Sequence, residues 1–278
     1  MIEYRQGNYV QDKVIIVTGA SSGFGEATAR TAAAMGAKVI LAARREEKLQ
    51  QIVKEIKEAG GTAEYIVTDV GIQEQAEAMA RFAVDTYGCI DVLVNDAGTM
   101  PQAFFADHKL AMKDWEQCLN TSIYGTLYCT CAVYDQMMAQ GRGHIINVSS
   151  ILGDFAVNGN GVYNVSKAGV RYLAESLRTE TRGIIKTTVI RPTSVPSTEL
   201  GKTIVNVNES MAGMYEKLFA AMMKNPYTTP GMNDRNSIQY DAPVAQDIVD
   251  NIIYAINQPW GVDISDITVR ASGENMYL

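Results

Sequence analysis

Short β-branched runs separated by longer stretches of helical period set the tightest limit on what this chain can fold into. The runs fall at 13–18 (KVIIVT), 38–43, 63–68, 91–95, 143–149, 186–191 and 266–271. Helical stretches lie at 24–35, 46–59, 73–87, 119–139, 160–182 and 241–257. Strands joined through helices of that length pair in parallel, and right-handed crossovers place helices on both faces of the sheet. The alternation therefore predicts an α/β fold, a doubly wound seven-stranded parallel sheet. An apolar content of 47% gives such a sheet its core. No Pro/Gly/Ser-rich linker interrupts the pattern, so 1–278 reads as one domain. Residues 192–240 break the rhythm, with four of the seven prolines and five of the thirteen methionines. An insertion of that length between strand and helix is expected to have a function, and a substrate-covering lid is a frequent one.

Composition excludes several classes of partner. A net charge of -7, with no basic run longer than Arg44-Arg45, offers no footprint for nucleic acid. No apolar run approaches the roughly 18 residues that cross a bilayer, and the opening MIEYRQGNYVQDKV lacks the pattern of a signal peptide. Cys89, Cys118, Cys129 and Cys131 contain no C-x-x-C pair. A cytoplasmic protein with reduced thiols is the expectation. His108 and His144 are too few for a zinc site, so no metal is expected, and His144 is placed at the head of a strand. A G-x-S-x-G elbow for Ser/His/Asp hydrolysis is absent.

The first strand runs directly into Thr18-Gly19-Ala20-Ser21-Ser22-Gly23-Phe24-Gly25, and a helical pattern starts at once. Glycine there lets the backbone turn sharply and lets a pyrophosphate reach the amides of the helix N-terminus. Gly19, Ser21, Ser22, Gly23, Phe24 and Gly25 thus form a candidate dinucleotide cradle in a Rossmann-type fold. The second strand ends Ala42-Ala43-Arg44-Arg45, without the acid that accepts from an NAD ribose and with guanidinium groups suited to a 2′-phosphate. Arg44 and Arg45 point to NADP(H) over NAD(H). Further on, Tyr163 and Lys167 stand four residues apart, hence on one helical face. A cation beside a phenol favours the phenolate, which suits the pair to acid/base work. Ser150 lies thirteen residues before Tyr163, just past a strand, and its hydroxyl is placed to bond a substrate oxygen. Ser149 competes for that role.

The G-x-x-x-G-x-G turn, Asn95-Asp96-Ala97-Gly98, Ser150 and Tyr163-x-x-x-Lys167, in that order, resemble the short-chain dehydrogenase/reductase family over roughly 13–195. The resemblance implies hydride transfer between a nicotinamide coenzyme and a secondary alcohol or ketone, with Asn120, Ser150, Tyr163 and Lys167 catalytic and Asn120 holding a relay water. It also implies coenzyme contacts from Asp69 and Val70 at the adenine, Asn95, Ala97 and Gly98 near the ribose, Tyr163 and Lys167, and Pro192 and Val195 at the nicotinamide. Two departures stand out: Asp96 where the family has Asn, expected to affect strand support, and Thr193 where it has Gly, expected to alter a backbone needing positive φ. Met211, Met214, Tyr215, Leu218, Phe219 and Met222 recur at helical spacing within the lid, which suits a hydrophobic small-molecule substrate such as a hydroxysteroid. A 3-oxoacyl thioester reductase, to which Lys217, Lys224 and Arg235 would present a basic surface, a polyol dehydrogenase and a non-catalytic NADP(H) sensor are the alternatives. Family resemblance further implies a homo-oligomer, tetramer or dimer, built through 119–139 and 160–182.

Overall fold

The computed structural model describes residues 7–193, 195, 200, 203, 205, 234–241 and 243–273. Its chain order is β1 (Val14–Thr18), α1 (Gly23–Ala34), β2 (Lys38–Ala43), α2 (Glu46–Glu58), β3 (Thr62–Val67), α3 (Gln73–Tyr87) and β4 (Val92–Asn95), then α4 (His108–Leu119), a π turn (Asn120–Tyr124) and α5 (Gly125–Gln140). After these come β5 (Gly143–Val148), α6 (Gly161–Glu180), β6 (Ile185–Pro192), α7 (Ala245–Ile256) and β7 (Asp266–Val269). The strands form one sheet in the order β3-β2-β1-β4-β5-β6-β7, every pair parallel. The order reverses between β1 and β4, and ligands of such sheets bind in the crevice at the carboxyl ends of the strands there.

Residues of alternate parity along each strand feed two cores. Ile15, Val17, Val39, Leu41, Ile146 and Ile190 pack beneath α1, α2 and α7, whose Ala29, Ile52 and Ile252 are buried against them. Ile16, Ile40, Leu93 and Ile145 face α3 and α5, which bury Met79 and Val133. Both faces are covered, which is why the strands read as nearly continuous apolar runs. Cys129 is buried and Cys131, two residues on, is exposed, as their helical spacing requires; all four cysteines are free thiols.

Three expectations change. The helix read at 119–139 begins eleven residues earlier, as α4, and continues through the π turn into α5. His144 is the second residue of β5 but does not cap it. It is fully buried within β5, and its Nε2 donates to Thr188 Oγ1 at 2.8 Å, since that hydroxyl already donates to Ile264 O. Thr193 is not at positive φ, and its N–H bonds Val269 O at 3.1 Å, extending the β6–β7 ladder. The family's glycine freedom is not used here. The apolar face Met211–Met222, with Lys217 and Lys224, lies outside the described residues.

Candidate active site

The glycine turn closes the carboxyl end of β1. Gly19 has φ +68, and a Cβ there would lie 3.0 Å from the Ala97 backbone; Gly23 has φ +59 and open space where its side chain would be. A Cβ on Gly25 would lie 2.6 Å from Gly19 O, so this glycine lets helix and turn touch. Thr18 Oγ1 accepts from the N–H groups of Asp96 and Ala97 and donates to Val94 O, fastening the turn to the loop after β4. Ser22 starts α1 without capping it through its side chain, because its Oγ accepts from Arg45 Nη2 at 2.6 Å while Ser21 Oγ accepts from Arg45 Nε at 3.0 Å. Uncapped amides beside an open glycine are what an anionic pyrophosphate requires. The residues fit a dinucleotide phosphate. Arg45 shapes the turn, whereas Arg44, exposed at the end of β2, has no partner among the described residues.

The loops after β3 and β4 form the next wall. Asp69 Oδ1 accepts from Gly71 N–H at 3.0 Å, and Asp69 N–H donates to Gln75, so the Asp69–Val70 turn is held from within. Val70 is buried against Gly125, where a Cβ would lie 2.6 Å from Val70 Cγ2. Asn95 is buried, its Nδ2 donating to Asn147 Oδ1 across to β5. Asp96 keeps some solvent exposure, but its carboxyl group is enclosed. Burial pushes its pKa up to about 7, while the Lys167 ammonium and the Gly25 N–H oppose the shift. Its influence thus reaches Lys167 as well as the strand it was expected to support.

Tyr163 and Lys167 project from one face of α6, both buried, with Lys167 Nζ 5.7 Å from the Tyr163 ring centroid. Lys167 Nζ donates to Val148 O at 2.8 Å, which anchors it to the end of β5, and burial pushes its pKa down while Asp96 and Cys118 oppose that. The two serines after β5 part company. Ser149 Oγ donates to the Lys167 carbonyl at 2.8 Å and so ties α6 to the sheet. Ser150 Oγ accepts from Leu152 N–H at the start of a 3-10 turn (Ile151–Gly153), leaving its own proton to donate. The 3-10 turn can approach α6 because Gly153 has no Cβ; one there would lie 3.0 Å from the Lys167 backbone. Cys118, Ile151, Leu152, Met100, Val157 and Val162 pack around Tyr163. Beyond them Trp115 packs with Val162 and Val205, and Thr203 Oγ1 accepts from Met100 N–H at 2.8 Å, so Thr203 and Val205 lie on this wall. Pro192 ends β6, and Val195 is buried in the core beneath α1 and α7.

The Asn120 side chain is directed to the loop after β3. Its Nδ2 donates to Gly71 O, at the turn after β3, and a Cβ on Gly71 would lie 2.1 Å from it. The π turn buries Ser122, whose Oγ, like Lys167 Nζ, lies within 4 Å of where a Cβ on Gly98 would stand. A stripe of buried residues at spacings of four, three and four, Ala111, Trp115, Cys118 and Ser122, would have revealed it in the sequence.

Residues 13–209 match the family model described as short chain dehydrogenase. The protein belongs to the short-chain dehydrogenase family. It is an oxidoreductase of that family, similar to an uncharacterised oxidoreductase of Listeria innocua, 38% identical and covering 94% of this chain and 96% of the relative. Among solved structures, the closed form of a serine dehydrogenase complexed with NADP+ is 30% identical, with a TM-score of 0.75, covering 92% of this chain and 94% of that one. A short-chain dehydrogenase/reductase of Burkholderia phymatum in complex with NAD shares the fold at 24% identity, with a TM-score of 0.77, over 94% of this chain and 89% of the other. In the described residues no helix is long and apolar enough to cross a membrane.

Proposed function

We propose that this oxidoreductase transfers hydride between NADP(H) and a bulky apolar ketone or secondary alcohol, a hydroxysteroid or cyclic terpenoid ketone being of that kind. The observation that carries the reading is the meeting of Ser150, Tyr163 and Lys167 at the carboxyl end of β5, across the switch point from the open glycine turn of β1. The nicotinamide supplies or accepts the hydride. Ser150 donates to the substrate oxygen, and Tyr163 holds the proton that the oxygen gains on reduction or loses on oxidation. Lys167, cationic beside the ring, favours the phenolate that the proton leaves behind.

NADP(H) rests on Arg44. The solved neighbours hold either coenzyme, so they do not choose between the two. A free guanidinium at the end of β2, with Ala43 where an acid would read the ribose, favours a 2′-phosphate. An apolar substrate is supported by the Met100, Val162 and Trp115 surface beside Tyr163. The thioester reductase alternative loses one support, since Arg235 is paired with Asp247 and Asp250. Four free thiols favour the cytoplasm, and apolar side chains exposed along α5 and α6 favour a homo-oligomer.

Coenzyme oxidation over a panel of cyclic ketones, sugars and acyl thioesters tests the reading. The expected result is NADPH-dependent turnover of the apolar ketones, lost by at least about a hundredfold in Tyr163→Phe with coenzyme binding retained. Arg44→Asp is expected to raise the KM for NADPH about ten- to a hundredfold and leave that for NADH unchanged. Preference for sugars or thioesters sinks the substrate class. Unchanged coenzyme preference in Arg44→Asp sinks NADP(H).

A further inference from the structure

Asp154 closes the 3-10 turn that begins at Ser150. Three bonds make the turn one unit: Leu152 N–H to Ser150 Oγ at 3.1 Å, Gly153 N–H to Ser150 O at 3.0 Å and Asp154 N–H to Ile151 O at 3.0 Å. Where Asp154 is held, Ser150 is therefore held too. The backbone ladder stops short of this turn. In the described residues the last such bond between the ends of β5 and β6 runs from Ser149 N–H to Ile190 O at 2.8 Å.

The Asp154 carboxylate meets two guanidinium groups from different elements. Its Oδ1 accepts from Arg171 Nη1 on α6, the helix that carries Tyr163. Its Oδ2 accepts from Arg191 Nη1 at 2.9 Å, and Arg191 Nε lies 3.7 Å from Asp266 Oδ1 on β7. Two cations and two carboxylates thus cancel. The Asp154 and Arg191 side chains are 21% and 22% exposed, so these charge-assisted bonds are partly withdrawn from screening by water. Asn164, next to Tyr163, adds neutral bonds from its Nδ2 to Leu152 O and, at 2.8 Å, to Phe155 O.

The point of attachment on β6 gives this clamp its consequence. Arg191 immediately precedes Pro192 at the carboxyl end of β6, the wall of the crevice where the coenzyme reading places the nicotinamide. Ser150, on the other wall, is placed at the substrate oxygen. Reacting atoms must stand about 3–3.5 Å apart, and a misplacement of about 1 Å can cost about a hundredfold in rate. The two walls come from separate strands, and Asp154 fastens one to the other.

We propose that Asp154, held by Arg171 and Arg191, is a positioning residue that fixes Ser150, and with it the substrate carbonyl, against the nicotinamide end of β6. It acts through Ser150. The kinetic consequence rests on the hydride-transfer reading above, but the clamp on the turn does not.

Asp154→Asn tests the proposal, since it keeps the shape of the side chain and removes the charge that the two arginines share. The expected result is a kcat about tenfold lower with the coenzyme KM unchanged. The primary isotope effect with NADPH doubly deuterated at nicotinamide C4 should be larger, because a looser approach slows hydride transfer relative to product release. Amide exchange over residues 150–155, measured without ligand, should be about tenfold faster. A merely structural role predicts a lower Tm alone. Arg235→Ala is the control for that: it breaks ion pairs to Asp247 and Asp250 on α7, and should lower Tm while kcat and the isotope effect stay as in wild type. In Asp154→Asn, a kcat within about twofold of wild type with an unchanged isotope effect, or exchange over 150–155 no faster than in wild type, overturns the proposal. The same kinetic changes in Arg235→Ala overturn it as well. Wild-type protein inactive with every carbonyl and both coenzymes would sink the hydride-transfer reading instead, and amide exchange would still decide the clamp.

Discussion

Ser149 and Ser150 are adjacent, and their spacings to Tyr163 differ by one, yet their hydroxyls do different things. Ser149 donates into the backbone of α6, whereas Ser150 keeps its proton for a ligand. Ser149→Ala is therefore expected to lose about 1 kcal/mol of stability by denaturant titration and keep kcat within a few-fold. Ser150→Ala, which gives up the bond from Leu152 N–H, should lose a similar amount of about 1 kcal/mol, and in addition lose kcat by about a hundredfold or more. Asp96 carries the second expectation at this scale. Its carboxyl pKa is raised to about 7 in the folded state against 3.8 as its ordinary value, so the native protein holds this proton more tightly than the unfolded chain. The stability so gained is complete below about pH 4 and lost as pH climbs to about 7. Asparagine stays neutral throughout. The Tm of Asp96→Asn relative to wild type should thus rise between pH 4 and pH 8, and a difference constant over that range would deny the shift.

The elements most legible in the sequence were those with a single burial pattern. Strands covered on both faces are apolar at nearly every position, as in Val14–Thr18 and Lys38–Ala43, and stand out from any neighbour. Helix α4 did not stand out: His108–Leu119 buries only Ala111, Trp115 and Cys118 among many polar residues, and without it the stripe leading to Ser122 had no beginning. The π turn was invisible for a different reason. No residue type demands an i→i+5 bond, and the turn arises where α4, α5 and α6 must all be accommodated. Beyond it, Gly125 lets the start of α5 press on Val70 in the turn assigned to the adenine. Gly125→Ala gains up to about 1 kcal/mol in helix propensity. It loses about 1–3 kcal/mol by forcing Val70 aside, since the contacted atoms include Val70 Cβ, which cannot swing away. A lower Tm together with a raised coenzyme KM is expected, and a rise in Tm would show that the turn yields freely.

At the scale of the whole molecule, the parallel sheet sends its chemistry to one end. Gly19, Asn95, Ser150 and Pro192 all lie at or just past the carboxyl ends of their strands, a convergence that motif order anticipated because each motif follows a strand. What motif order left open was the outer surface, since a face buried by a second copy and one wetted by solvent differ little over a few helical turns. The structure leaves Tyr124 50%, Leu127 36%, Val165 62% and Tyr172 77% exposed along the π turn, α5 and α6, while these helices bury their inner faces in the sheet. Apolar side chains gathered on neighbouring helices are expected to be covered by a partner, and an isologous contact lets one patch serve both copies. Light scattering should give the mass of a dimer or tetramer for the wild-type protein. Tyr172→Glu is expected to shift it toward monomer, because each two-fold contact would then bury two carboxylates facing one another. Ser150, Tyr163 and Lys167 all come from one chain, so the dissociated variant should keep its turnover per site at temperatures where it remains folded. A wild-type mass equal to that of one chain would show that these helices face solvent.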